Sequence, residues 1–222
     1  MNRALAALSR LLCRETVSVL AKLWRRNLSP NDKNVVFESL RGLDFSEYVV
    51  PESLSLNSET HYPYEHNQGR LLRDVLDSMP ITSSDSILDV GCGKGCALKI
   101  CRSYPFGTID GYAASDRFVE IARRDMKRLG LQSNIMREEA ETFAAYDKYN
   151  YVYLFNPFPR NVVEVVLRNI NASLERAPRE FKLLYENPIH CDVVADLTRR
   201  FKSYETTIKG YRRRLLVFDH GK

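Results

Sequence analysis

The stretch that decides the fold of this chain is residues 87–95, which read Ile87-Leu88-Asp89-Val90-Gly91-Cys92-Gly93-Lys94-Gly95. It begins as a short apolar strand with an acidic residue, continues as a turn with glycine at every second position, and leads into a predicted helix over 96–102. Glycine permits positive φ and lets a ligand approach the backbone without meeting a Cβ atom. The stretch therefore predicts a nucleotide-type ligand site where a strand passes into a helix.

Three alternatives compete with a ligand site of this kind. A dinucleotide-binding turn needs G-x-G-x-x-G, and here Cys96 stands at the place of its third glycine. A phosphate-binding P-loop needs four residues between its glycines and then Gly-Lys-Ser/Thr, which this turn lacks. A purely structural turn is the third alternative.

The stretch resembles motif I of the class I S-adenosylmethionine-dependent methyltransferases, in which an apolar strand and an acidic residue precede G-x-G-x-G. In that family the turn surrounds the methionine part of the cofactor. The resemblance implies cofactor-binding roles for Asp89, Gly91, Gly93 and Gly95, and for Cys92 within the same turn.

A second motif follows the predicted strand 151–155, where the chain reads Asn156-Pro157-Phe158-Pro159. It resembles motif IV of the same superfamily, written [DN]-P-P-[FYW] in members that methylate amino or amide nitrogens, although the order of its residues differs. An asparagine both accepts and donates hydrogen bonds, and prolines stiffen a turn beside an aromatic surface. We expect Asn156, Pro157 and Phe158 to form the catalytic site, against the alternative of a merely structural proline-rich turn.

The sequence between the two motifs alternates strands with helices. Residues 107–114 and 134–138 are predicted strands, and 116–129 is a predicted amphipathic helix. Further predictions are a helix over 162–174, a strand over 181–185, a helix over 191–201 and a hairpin of strands 204–208 and 214–218. The predicted fold class is α/β: a Rossmann-like, doubly wound, seven-stranded, mostly parallel sheet with an antiparallel C-terminal hairpin, plus an N-terminal helical extension.

The resemblance also implies where the rest of the cofactor binds. Members usually carry an acidic residue for the ribose hydroxyls at the end of the second strand, where this chain has Ala113. Asp110, Ser115 or Asp116 could replace it, and Ser115 is the residue we assign to cofactor binding. The missing acid leaves open weak cofactor affinity or a cofactor domain without catalysis.

Two further cofactor contacts follow from the same resemblance. Glu139 is the best candidate for the acid that faces the adenine amino group after the third strand. Tyr62 or Tyr64 precedes motif I at the distance where related enzymes place an aromatic residue over the cofactor, and Tyr64 is assigned to the site. An ordinary packed tyrosine is the alternative.

A closer resemblance covers roughly residues 60–200. The sequences Tyr153-Leu154-Phe155-Asn156-Pro157-Phe158 and Asn187-Pro188-Ile189-His190 match a mostly uncharacterised bacterial group of class I methyltransferases with a YLFNPF strand end and a later NP-x-H. This resemblance supports the fold and does not identify an acceptor. His190 or Glu186 could remove a proton, although such a histidine is more often structural.

Charge separates the N-terminal segment from the rest of the chain. The chain carries a net charge of +5, and residues 1–30 hold six basic side chains against one acidic side chain, so they account for the whole excess. The remainder is neutral, which makes a nucleic-acid partner unlikely on composition. Residues 1–26 resemble a basic amphipathic helix that packs on the domain, contacts a membrane surface or a protein partner, or serves as a presequence.

Length and composition predict one catalytic domain with extensions: residues 1–30 as the N-terminal helix, 31–66 as a connecting or lid region, and 67–222 as the methyltransferase domain. The five cysteines lack paired spacing, which predicts reduced thiols, no metal site and a cytoplasmic protein. The basic segment 1–26 leaves a location peripheral to a membrane open. The expected activity is S-adenosylmethionine-dependent methyl transfer (EC 2.1.1.-), with nitrogen as the favoured acceptor atom. Oxygen of a glycan or small metabolite, and a non-catalytic cofactor-binding scaffold, are the alternatives.

Overall fold

A computed structural model describes residues 38, 40–46, 48–64, 69–155, 158–194, 201–208 and 211–220 of the chain. The predicted helix over residues 1–30, with its membrane or partner contact, lies outside these residues. The chain divides into two compact units, Met1–Ser46 and Glu47–Lys222. In the first unit, the backbone N–H groups of Arg41 and Leu43 donate to the carbonyl oxygen of Glu38 at 2.9 and 2.8 Å. The domain boundaries expected after residues 30 and 66 stay predictions.

The second unit contains a seven-stranded sheet. Its strands are β1 Ser86–Val90, β2 Thr108–Ala113, β3 Asn134–Arg137, β4 Tyr151–Phe155, β5 Phe181–Glu186, β6 Phe201–Ile208 and β7 Tyr211–His220. The spatial order is β3-β2-β1-β4-β5-β7-β6. Strands β1 to β5 pair in parallel, whereas β7 is antiparallel to both β5 and β6. The predicted mostly parallel sheet with an antiparallel C-terminal hairpin is confirmed.

Helices surround this sheet, and those predicted over 96–102, 116–129 and 162–174 are present. They are α1 Arg70–Leu76, α2 Cys96–Cys101, α3 Asp116–Arg128 and α4 Arg160–Arg176, with short 3-10 helices at Pro51–Leu54, Tyr146–Lys148 and Cys191–Val194. The apolar face predicted for α3 is buried, including Phe118, Ile121, Ala122 and Met126. An amphipathic helix of this kind is stabilised mainly by burying one face against the sheet.

The predicted helix over residues 191–201 is wrong at its C-terminal end. A 3-10 helix covers Cys191–Val194, residues 195–200 lie outside the described part of the chain, and Phe201 already belongs to β6. Phe201 pairs with Phe218 in the antiparallel ladder. Short apolar segments are ambiguous between helix and strand, and here pairing with β7 decides for a strand.

The order of the strands places the ligand site. From β1 the chain moves outward through β2 and β3 on one side, and it then returns to the other side of β1 to form β4 and β5. In open α/β sheets, the crevice at such a reversal lies outside the carboxyl ends of the strands and binds ligands. Motif I follows β1 and motif IV follows β4, so both lie at this crevice.

Candidate active site

The glycine turn after β1 has the backbone that its sequence predicts. Gly91, Gly93 and Gly95 have φ values of 72°, 51° and 85°. Positive φ of this kind is strained for residues that carry a Cβ atom. The Cys92 N–H donates a hydrogen bond to the Tyr112 carbonyl oxygen of β2 at 2.8 Å, which connects the turn to that strand. Its backbone is thus held beside the carboxyl end of β2.

Tyr64 packs directly on this turn. A Cβ atom added to Gly93 would lie 2.5 Å from Cδ2 of Tyr64, so only glycine leaves room for the ring. Tyr64 reaches this place because its backbone pairs with Val49, each N–H donating to the other's carbonyl oxygen at 2.8 and 3.3 Å. Its ring centroid also lies 5.2 Å from that of Phe118. The segment before motif I therefore contacts the turn that the sequence assigned to the cofactor.

A cavity of about 390 Å³ opens at the carboxyl ends of the strands. This volume lies in the range of small-molecule sites in proteins. Part of the predicted lid region, including Tyr48 and Leu54, forms one of its walls. Predicted site residues also line it: Asp89, Gly91, Cys92, Gly93, Ser115, Tyr64 and Phe158.

Asp89 places a carboxyl group in the wall of this cavity. Only 5% of the residue is exposed, and burial raises the pKa of its carboxyl from 3.8 to about 8. Burial disfavours the charged form, whereas a nearby cation favours it. The position is therefore suited to a ligand that brings a positive charge or a hydrogen-bond donor.

Of the three residues proposed to replace the missing ribose acid, Ser115 lines the cavity together with Ala113. Asp110 instead accepts a hydrogen bond from the Tyr149 hydroxyl at 2.8 Å and one from the Asn134 N–H at 3.3 Å. The side chain of Asp116 is 81% exposed. Of these three residues, the cavity wall therefore contains only Ser115, whose hydroxyl would stand where other members place a carboxylate for the ribose.

After β3, the neighbouring glutamates differ in position. Glu138 lines the cavity, whereas Glu139 is absent from its wall. The carboxylate of Glu139 lies 2.8 Å from Nη1 of Arg137 and 3.6 Å from Nε2 of His61. Gly95 is likewise outside the wall, where it precedes α2. The cofactor roles of Glu139 and Gly95 stay predictions, and Glu138 is a wall residue that the sequence analysis missed.

The opposite half of the cavity is formed by the ends of β4 and β5. Its wall there includes Tyr153, Phe155, Phe158, Asn187 and Ile189. Asn156 and Pro157 fall outside the described residues, so their catalytic roles stay predictions from the sequence. Phe155 and Phe158, on either side of that pair, line the cavity, so the described residue Phe158 of motif IV lies at the same crevice as motif I.

A buried hydrogen bond joins the ends of β4 and β5. The Tyr153 hydroxyl donates to Oε2 of Glu186 at 2.8 Å, and both residues are about 1% exposed. The sequence suggested Glu186 as a base and gave no signal for its contact with Tyr153, because the contact joins two strands that are distant along the chain. Close by, the Tyr62 hydroxyl lies 3.4 Å from Nε2 of His190.

The cysteines near the site are buried thiols that resist ionisation. Burial raises the pKa of Cys92 and of Cys101 above the ordinary thiol value. Among the described residues, no group of three or more His, Cys, Asp or Glu is arranged to hold a metal ion. None of the helices in the described part of the chain has the length and apolar character needed to cross a membrane.

Comparison with known proteins gives one family match and a set of structures with a similar fold. Residues 87–177, from β1 to the end of α4, match the family model of a methyltransferase domain. No curated protein sequence matches the chain.

Solved structures share the fold at low sequence identity. The magnesium protoporphyrin IX methyltransferase of Synechocystis PCC 6803, solved with bound S-adenosylmethionine, is 15% identical over 68% of this chain and 76% of its own, with a TM-score of 0.52. A SAM-dependent methyltransferase from Aquifex aeolicus is 14% identical over 68% of this chain and 93% of its own, also at 0.52. An rRNA methylase from Streptococcus thermophilus is 10% identical over 68% of this chain and 95% of its own, with a TM-score of 0.52.

Residues 87–177 thus resemble a methyltransferase domain, and the sheet has the fold of solved methyltransferases, one of them with bound S-adenosylmethionine. The site itself fits that molecule in two respects. The glycine turn presents backbone to the cavity at Gly91 and Gly93, and the buried Asp89 carboxyl suits the ammonium group of a methionine moiety. Tyr64, Ser115 and Glu138 line the same cavity.

Proposed function

We propose that this protein transfers the methyl group of S-adenosylmethionine to a nitrogen acceptor, either a protein side chain or a small-molecule amine. One observation carries the proposal: a continuous cavity runs from the glycine turn after β1 to the aromatic residues at the end of β4. Cofactor and acceptor could therefore lie side by side. A relationship to the bacterial group with the YLFNPF strand end is part of the same proposal.

In this proposal the protein contributes orientation and exclusion of water. The cofactor supplies an activated methyl group when it is bound, so no separate activation is required of the protein. Asp89 would bind the ammonium group of the cofactor, and the glycine turn would hold the adjoining atoms. Asn156 would orient the acceptor nitrogen, and Phe158 would shape its pocket. Holding two reactants in the productive geometry removes much of the entropic barrier of a bimolecular reaction.

Two alternatives are tested along with this proposal. Methyl transfer to oxygen would use the same cavity and differ in the acceptor. A non-catalytic scaffold is suggested by Ala113, which supplies no acid for the ribose. The cavity favours an enzyme, because its wall extends beyond the glycine turn to Tyr153, Phe155 and Phe158, where an acceptor would enter.

Asn156→Ala tests the acceptor role. We expect the variant to bind S-adenosylmethionine with nearly unchanged affinity and to lose most of its methyl transfer, because Asn156 would contact the acceptor and not the cofactor. The measurement is radiolabelled methyl transfer to a panel of amines and proteins, together with titration calorimetry of the cofactor. Equal loss of binding and transfer would contradict the role given to Asn156. Transfer to hydroxyl compounds alone would favour the oxygen alternative.

A further inference from the structure

Residues 49–64, called the lid loop below, form one wall of the cavity. The loop is closed at its neck, because Val49 and Tyr64 form an antiparallel bridge with backbone hydrogen bonds of 3.3 and 2.8 Å. Between these two residues lies the 3-10 helix Pro51–Leu54. Compact surface loops with neighbouring ends are frequently functional. The bridge defines a neck about which the loop can turn as one unit.

The inner face of the lid loop is apolar. Pro51, Leu54 and Leu56 line the cavity from the side of the loop. Apolar side chains that face a cavity lose contact with water when a ligand fills it, which is favourable. A bound ligand therefore stabilises the closed position of the loop.

The last residues of the lid loop cross the crevice between strand ends. The ring of Tyr64 covers Gly93 in the turn after β1, and Gly93 is buried beneath it. The Tyr62 hydroxyl lies 3.4 Å from Nε2 of His190, which follows β5. A ligand that binds along the glycine turn therefore has the lid loop in its path.

His61 connects the lid loop to the end of β3. Its Nε2 lies 3.6 Å from Oε2 of Glu139, and the other carboxylate oxygen of Glu139 accepts a hydrogen bond of 2.8 Å from Nη1 of Arg137. On the opposite side of the ring, Nδ1 lies 2.9 Å from the Thr60 hydroxyl oxygen, so the loop itself orients the imidazole. The His61 ring also packs edge-on against Phe158, with ring centroids 6.3 Å apart. One side chain of the loop thus contacts both the end of β3 and motif IV.

The polar contacts of the lid loop are weak enough to break while the sheet stays folded. The Glu139 side chain is 37% exposed, and an exposed ion pair typically changes an equilibrium by only about two- to fivefold. The contact between Tyr62 and His190, at 3.4 Å, is long for a hydrogen bond. Segments held by few buried contacts open at a low cost in free energy.

We propose that the lid loop is a gate of the cofactor site: the contact between His61 and Glu139 latches it closed, and S-adenosylmethionine enters and leaves when it opens. This inference rests on the proposed function and adds to it a control of ligand exchange. Glu139, which the sequence resemblance assigns to adenine, holds the loop instead. Because closure also places His61 against Phe158, the same movement completes the wall beside motif IV.

The rates of ligand exchange test the gate. The probe is S-adenosylhomocysteine, the demethylated cofactor product, and surface plasmon resonance on the immobilised full chain measures its association and dissociation at about pH 6, where an ordinary histidine is mostly protonated. In His61→Leu and in Glu139→Gln, both rate constants should rise by about two- to fivefold with little change in Kd, because a weaker latch opens the free and the bound chain equally. The double variant should exceed neither single variant, since each removes the same contact.

Asp147→Asn is the matched control. It breaks an exposed ion pair with Arg176 away from the cavity wall, and both rate constants should stay at the parent's values. A contact of Glu139 with adenine gives another pattern: in Glu139→Gln, dissociation becomes faster, Kd rises and association is unchanged, and His61→Leu has no effect. That pattern, or parental rates in both variants, would overturn the gate and leave the proposed function standing. If the parent binds neither cofactor form, the proposed function and the gate both fail.

Discussion

Single residues of the glycine turn and its neighbours connect the sequence to the site most directly. Asp89 is predictable from the motif, since an acid in that place ends the first strand of the family. Its burial is a property of the fold, because β1 lies between β2 and β4 at the centre of the parallel sheet. The raised pKa of Asp89 is therefore a consequence of the sheet order and could not have been derived from the motif alone.

The pKa of Asp89 predicts a pH dependence of stability. The folded chain holds this proton with a pKa of about 8, against an ordinary value of 3.8 for the unfolded chain. The contribution to stability is fully present below the unfolded pKa and is lost as pH rises through the folded pKa. Relative to Asp89→Asn, the parent's free energy of unfolding should fall by a few kcal/mol between about pH 5 and about pH 9.

Urea unfolding at several pH values measures this difference. Asp116→Asn is the control, because the Asp116 side chain is 81% exposed, and it should follow the parent's pH curve. Parallel curves for the parent and Asp89→Asn would show that Asp89 titrates normally in the folded chain.

At the scale of elements, much of the fold follows from local patterns and some of it does not. The helix α3 and the strands from β1 to β5 carry periodic or continuous apolar sequence, and their positions were predictable within a few residues. The hairpin of β6 and β7 was predicted, but the helix predicted to extend to residue 201 fails because β6 already begins at Phe201, a start that the local apolar pattern does not mark. The contact of Tyr64 with Gly93 was also not predictable from local sequence, because it depends on the backbone pairing of Val49 with Tyr64.

Arg179 connects the C-terminal end of α4 to the segment before β4, a set of contacts that the sequence does not predict. Between α4 and β5, its guanidinium group donates to the carbonyl oxygens of Tyr149, Ala177 and Tyr146 at 2.8, 2.7 and 2.9 Å. It also donates to the hydroxyl of Ser173 at 3.0 Å. A single side chain thus joins the end of α4 to the 3-10 helix that precedes β4.

Arg179→Ala should destabilise the fold by about 2–4 kcal/mol, because several partly buried carbonyl groups lose a charged donor together. Thermal and urea unfolding measure the loss. The control is Arg160→Ala, which removes exposed ion pairs with Glu164 and Asp192 and should cost less than about 1 kcal/mol. Similar losses in the two variants would mean that the Arg179 hydrogen bonds do not stabilise the junction.

At the scale of the whole molecule, the order β3-β2-β1-β4-β5-β7-β6 brings motif I and motif IV to one crevice although they are far apart in sequence. The sequence predicted this architecture from two motifs and the alternation between them. It did not predict the aromatic character of the cavity at the ends of β4 and β5, which depends on side chains of β4, β5 and the lid segment meeting in space.

The most direct test of the central claim is titration calorimetry of the purified chain with S-adenosylmethionine and its demethylated product. We predict binding in the micromolar range to the parent and no binding to Gly93→Asp, because a Cβ there meets the Tyr64 ring at 2.5 Å and a new carboxylate enters the cavity. Gly130→Asp is the matched control: its φ is also positive, at +66°, and a Cβ there meets nothing within 4 Å, so binding should persist. Absence of binding to the parent, or undiminished binding to Gly93→Asp, would contradict a cofactor site at the glycine turn.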